Sequence, residues 1–352
     1  MAVTNTFKTI DPTEDIVTSK TLLNENVPIT GSIVSGTYGG ATVSMGSEGH
    51  IKTYSHGMFQ SVFDYPYLSS SANHIFDIAV GISANSSIYS STTSQQAKKK
   101  NVYNQMAQVL MGHDATGSIK EFKIPDGNYI REAIFLNFSR LLVKDEIKKT
   151  SFNLKMGSAS WTNPFIGTHK IDTISEIPKT GGQQRVYTDS PAGEYTVLTS
   201  SVSNTRCGLL FYQAGIAVLS TASFMHGKNP KWSRDTGQHR LDAALTASTV
   251  DTVANGFRHN MYNVEFNNTT ELNSTMYFCK VNNNDFNYSS NPTYLSSSKI
   301  RVKETSVDPP VSYVTSIGLY SANNELLAVA KLSEPLKNTP SERFTLRVRL
   351  DY

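Results

Sequence analysis

The closing stretch, residues 311–352, constrains the fold of this chain more than any other. Over Phe344–Asp351 the apolar Phe344, Leu346, Val348 and Leu350 alternate with Thr345, Arg347, Arg349 and Asp351. A period of two describes a strand with one buried and one wet face. Upstream, residues 315–320 and 325–332 flank Ser321, Ala322, Asn323 and Asn324, residue types that accept turn geometry. In the second run Leu326, Leu327, Ala328, Val329 and Ala330 leave no polar face. That run is therefore expected to be buried on both sides. Residues 208–220 repeat the same grammar: Gly-Leu and aromatics, a short turn, then an aliphatic strand containing Ala-Val. The two stretches read as a repeated hairpin.

The rest of the chain reads as strands with little helix. Residues 1–48 are polar, with scattered apolar groups such as Ile16-Val17 and Leu22-Leu23, and read as an extended N-terminal arm that docks on a neighbouring subunit or on the protein's own flank. An aromatic cluster at 58–67 precedes a buried strand at 74–82. Residues 95–111 form the best helix, with Val102, Met106, Val109 and Leu110 on one face and Gly112 at the C-cap. Lys98, Lys99 and Lys100 oppose the dipole at its start, so an acidic or carbonyl-rich partner is expected beside them. Strands follow at 129–138, 152–156, 194–198 and 208–220. Residues 241–254 read as a second helix ending at Gly256, and strands at 261–266 and 275–281 flank an Asn/Thr turn at 267–274. The fold class is mainly β, in antiparallel sandwich-like sheets with one or two short helices. Three segments are expected: the arm at 1–48, a β-rich body at 49–235 containing the helix 95–111, and a helix or loop followed by a C-terminal β region at 236–352, packed with the body as one unit.

Composition narrows the partners. Charged residues make up 17 % of the chain, below the roughly 25 % of average soluble proteins. Large contact areas suit such a surface, because each buried charge carries a desolvation cost. The net charge of +3 comes with no basic block beyond Lys98–Lys100, so no nucleic-acid partner is expected. No apolar run approaches the ~20 residues that span a bilayer, and no membrane partner is expected. Cys207 and Cys279 fall in no metal or redox spacing, which fits folding in a reducing cytoplasm.

Chemistry-bearing motifs are sparse. The chain has no phosphate-binding Gly loop, dinucleotide fingerprint, H-E-x-x-H or G-x-S-x-G elbow. His74 and Asp77 are three apart, which places them on opposite faces of an ideal strand. His113-Asp114 follows a helix end, where a His is favourable for electrostatic reasons alone. His50, His56, His169, His226, His239 and His259 lack partners at ligand spacing. The loop with Lys228, Lys231, Trp232 and Arg234 reads as a stacking or acidic-partner surface, or as an ordinary exposed loop. No catalytic, cofactor-binding or metal residues are assigned, no cofactor is expected and the chain is expected not to be an enzyme.

The strings Ile317-Gly318-Leu319-Tyr320 and Glu325-Leu326-Leu327-Ala328-Val329-Ala330-Lys331-Leu332 resemble a motif of tailed-phage virion proteins, notably large structural proteins of contractile-tailed, T-even-like marine and cyanobacterial phages. The motif is also similar to segments near the start of some phage tail-fibre proteins. Residues 63–68, 104–110 and 211–219 extend the resemblance over most of the chain from about residue 50. The resemblance implies a virion structural protein of the tail or baseplate, assembled in the host cytoplasm. Its implied partners are other virion proteins and copies of itself in a symmetric ring. A neck or head-decoration protein, or a carbohydrate-binding or carbohydrate-cleaving receptor module, are the alternatives.

Overall fold

A computed structural model describes residues 7–27, 50–91, 93–125, 127–157, 171–176, 187–221, 245–283, 285–286, 295–296, 299–300 and 311–352. In chain order the strands are β1 (Ile16–Val27), β2 (Ile51–Thr53), β3 (Phe59–Phe63), β4 (His74–Ile82), β5 (Glu132–Phe138), β6 (Glu146–Ile147), β7 (Asn153–Gly157), β8 (Ile171–Ser175) and β9 (Tyr187–Ser190). They continue with β10 (Gly193–Ser200), β11 (Arg206–Phe211), β12 (Ile216–Ser220), β13 (Met261–Val281), β14 (Leu295–Ser296), β15 (Lys299–Ile300), β16 (Ser312–Tyr320), β17 (Leu326–Asn338) and β18 (Phe344–Asp351). The helices are α1 (Ser94–Met111), α2 (Arg140–Val143) and α3 (Val250–Asn260). The architecture is mainly β and antiparallel, as the alternation patterns indicate. The chain separates into a larger unit, Leu23–Thr270, and a smaller one combining Met1–Leu22 with Glu271–Tyr352. The boundaries read from the sequence at 48/49 and 235/236 lie outside the described residues.

In the larger unit one antiparallel sheet runs β13-β7-β8-β10-β11-β12-β5-β4-β3-β2, with β6 on β13 and β9 on β10. Its central strands are apolar on both faces because both faces are covered. From β5, Ile134, Leu136 and Phe138 enter one core, while Ala133 and Phe135 enter the other. α3 covers the first face with Val250, Val253, Ala254 and Phe257. α1 covers the second with Val102, Tyr103, Ala107 and Leu110. The sheet also curls over itself. Phe138 of β5 meets Phe266 of β13, six places away in strand order, with ring centroids 5.1 Å apart, and meets Phe152 at 5.9 Å. This closure gives the sandwich-like core.

α1 begins at Thr93, whose side chain accepts the Gln96 N–H, and ends at Gly112 with φ 73°, a conformation suited to glycine. Its buried face differs from the expected one: Val109 is exposed and Tyr103 is buried. Tyr103 earns its place through its hydroxyl, which donates to Ile130 O at 2.7 Å and accepts from Phe122 N. The helix lies so close to β4 that a Cβ on Gly81 would sit 2.9 Å from Tyr103 Cα.

Two expectations for the next segment need correction. The second helix is Val250–Asn260, and Gly256 lies inside it, not at its end. Thr249 is the N-cap and accepts the Thr252 N–H. Residues 267–274 are not a turn but the middle of the 21-residue strand β13. Asn268 and Thr269 pair with Ile147 and Glu146 of β6, and the Asn268 amide donates to Leu142 O. Their polar groups are buried and satisfied, so a local turn signal loses to tertiary pairing.

In the smaller unit, β18 pairs with residues 274–281 of β13, setting Val348 opposite Tyr277 and Leu346 opposite Cys279. Val348 is buried, Phe344, Leu346 and Leu350 are half-buried, and Thr345, Arg347, Arg349 and Asp351 are exposed, which is the expected alternation. β1 lies on the other side of β13. β16 and β17 form a separate two-stranded ribbon around Ser321–Glu325, where Asn324 takes φ 62° and Ser321 N–H donates to Glu325 O. The short strands β14 and β15 pair with each other.

Candidate functional site

The β16–β17 ribbon departs furthest from expectation. Leu327 is 68 % and Val329 56 % exposed, and Tyr313, Tyr320, Leu326 and Leu336 are exposed as well. The run read as buried on both sides therefore lies open. Its sequence twin, β11–β12, shows the contrast. There Leu209, Leu210, Phe211, Ala217, Val218 and Leu219 are all fully buried, because β10 and β5 flank the hairpin and a core lies on each face. The same grammar thus gives the same hairpin in two places, but flanking strands are present at only one of them among the described residues. A lone hairpin is marginal in water, and a contiguous exposed apolar surface marks an interaction site.

A polar row crosses β3 and β4. Asp77 Oδ1 accepts from Ser61 Oγ at 2.5 Å and contacts His74 Nε2 at 2.8 Å, while Tyr54 OH lies 3.2 Å from Ser61 Oγ. His74 and Asp77 therefore meet on one face, against the expectation of opposite faces. The cause is a bulge. Val62 pairs with Phe76 but Phe63 pairs with His74, so Ile75 is the extra residue that rotates His74 to the side of Asp77. The row holds a histidine and orients it. Ser61 gives its proton to the carboxylate and not to the ring, so the arrangement lacks the nucleophile-to-base hydrogen bond of acyl transfer. Asp114, beside His113, is committed to a turn, accepting from Thr116 N and Ser118 N. Those bonds, with the Thr116 hydroxyl foremost, hold its carboxyl below the usual range. No group of three His, Cys, Asp or Glu that could hold a metal occurs among the described residues. The Trp232 loop with Lys228, Lys231 and Arg234 lies outside the described residues, as do His169, His226 and His239.

The lysines at the start of α1 find carbonyl partners. Lys98 Nζ donates to His56 O at 3.0 Å. Lys99, fully buried, donates to Ser248 O at 2.7 Å and to Leu245 O. Gln96 adds a bond to Thr246 O, so the start of α1 grips the segment leading into α3. Burial lowers the Lys99 ammonium from 10.5 to about 8. Between those values the unfolded chain binds the extra proton, so this group makes the fold more stable as pH rises from about 8 to 10.5. The gain is expected to be on the order of 3 kcal/mol. Urea midpoints of wild type and Lys99→Met at pH 7 and pH 10 check it. The wild type should gain on the variant at the higher pH, and parallel pH dependence would refute the assignment.

One buried carboxylate serves the core of the larger unit. Glu176, 2 % exposed, accepts from Thr150 N at 2.6 Å, Phe152 N at 3.1 Å and Tyr212 OH at 2.7 Å. Burial, with the carboxylate beside it, pushes the Tyr212 hydroxyl up, so it stays protonated and donating. Sequence reading did not single out Glu176, since its three partners come from segments distant in sequence. No protein-family model matches this chain, and no match was found among curated proteins or solved structures.

Proposed function

We propose that this chain is a structural subunit of a tailed-phage virion, in the tail or baseplate, and that it works by protein–protein contacts in a symmetric assembly. The observation that carries the reading is the open β16–β17 ribbon. It coincides with the segment whose sequence resembles phage virion proteins, and among the described residues no flanking strand covers it as β10 and β5 cover the twin hairpin β11–β12. In this reading neighbouring virion proteins supply that cover. Burying a Leu or Val side chain contributes about 1.5–3 kcal/mol, so Leu326, Leu327 and Val329 together would anchor an interface.

The test is made on gradient-purified particles of a phage that encodes the chain. Mass spectrometry should find the protein in stoichiometric amount, and a map of the particle should show it in the tail or baseplate. Particles carrying Leu327→Lys and Val329→Lys together should lose it, while the purified variant melts as wild type does. Infectious particles free of the protein would rule the reading out.

A further inference from the structure

We propose that residues 7–27 are an exchangeable arm, which in the assembly leaves its own chain and lies on residues 271–285 of a second copy. This deepens the assembly reading and rests on it. The contact within one chain is laid out as a register of ion pairs. Lys8 meets Asp285 at 2.9 Å, Asp15 meets Lys280 at 2.5 Å, and Lys20 pairs with Glu271. As the number rises along the arm it falls along the receiving strip, so the two run antiparallel. The Phe278 N–H also donates to Asp15 O at 2.8 Å, which fixes the arm's entry into the ladder. The paired charges run Lys8, Asp15, Lys20 along the arm and Asp285, Lys280, Glu271 along the strip, so a shift by one pair sets like charges together.

Every one of these contacts can form equally between copies. Docked on its strip, the arm leaves Val17, Leu22 and Leu23 exposed. Its hold is one edge of backbone pairing plus three ion pairs, of which Lys8–Asp285 and Lys20–Glu271 are partly exposed and contribute ~0–1 kcal/mol each, while Asp15 is buried beside Lys280. Once copies stand side by side, exchange costs no contact and links them, as in domain swapping. The Lys280 hydrogen bond holds the Asp15 carboxyl below its ordinary 3.8, so the Asp15–Lys280 pair is intact above that value and is lost as pH falls below it.

The experiment uses the unaltered full chain. Equal amounts of 15N-labelled and unlabelled protein are mixed at ~1 M salt to screen the ion pairs, returned to low salt, and joined with a zero-length carbodiimide. The Lys20–Glu271 and Lys280–Asp15 cross-linked peptides are then read by mass spectrometry, with light scattering on the same sample. Mixed-isotope pairs as abundant as same-isotope pairs are expected in the associated fraction. Same-isotope pairs alone in associated protein would overturn the arm exchange and leave the assembly reading standing. Protein that stays monomeric at every concentration, with same-isotope pairs only, would overturn the exchange and count against assembly from identical copies.

Discussion

Val348→Asp is expected to unfold the terminal sheet of the smaller unit. Val348 is 7 % exposed and sits opposite Tyr277 in the β13–β18 ladder. An aspartate there would place a carboxylate opposite Tyr277 and between Leu346 and Leu350, none of which can pair with its charge. The cost is about 3–5 kcal/mol, a large share of the ~5–15 kcal/mol that holds a typical domain. Arg347→Ser on the exposed face should change stability by less than about 0.5 kcal/mol. Truncation after Arg343 removes the whole strand and should leave little soluble protein. Soluble yield and melting temperature of the three variants beside wild type make the comparison. A Val348→Asp protein that melts like its parent would mean the register is wrong.

The second large effect is expected at Glu176. Glu176→Ala takes the acceptor from three donors in the larger unit, the buried Phe152 amide and Tyr212 hydroxyl and the amide of exposed Thr150, which water can satisfy. Each of the two buried donors left without an acceptor costs about 1–3 kcal/mol, so the sum reaches about 3 kcal/mol or more. Tyr212→Phe removes one donor and leaves the carboxylate its two amides, and should cost only about 1 kcal/mol. Glu176→Gln should fall between them, since its amide nitrogen would face a donor. Urea unfolding of the three variants gives the order. Equal losses for all three would mean that the carboxylate acts through packing and not through its acceptors.

What could be read from the sequence follows a physical division. Strands whose side chains alternate, such as β18, or which carry long apolar runs, such as β4 and β5, declare themselves because their pattern follows their surroundings. The α1 lysines declared a need, for carbonyl partners, without naming Leu245 and Ser248. β13 was missed at 267–274 because Asn and Thr runs signal turns locally, while their pairing depends on β6 and β18. The His74–Asp77 pair was misplaced because a bulge at Ile75 breaks the period of two. Leu326–Ala330 shows the deeper limit. Apolarity tells that a strand seeks cover, but whether its own chain provides it is a matter of topology. β12 is covered by β11 and β5, whereas β17 has only β16 among the described residues. Glu176 was illegible for the same reason, since nothing near it in sequence marks it as an acceptor for three distant groups.

Hydrogen–deuterium exchange over residues 312–338 tests most directly the claim that the chain works through its open ribbon. Peptides from β16 and β17 are followed in the isolated protein and in purified particles, with β11–β12 as an internal reference. In the isolated protein the ribbon should exchange far faster than β11–β12, because among the described residues no strand flanks it and most of its apolar side chains are exposed. In the particle its exchange should slow to a rate comparable with β11–β12. Fast exchange of the ribbon in the particle, unchanged from the isolated protein, would contradict the account.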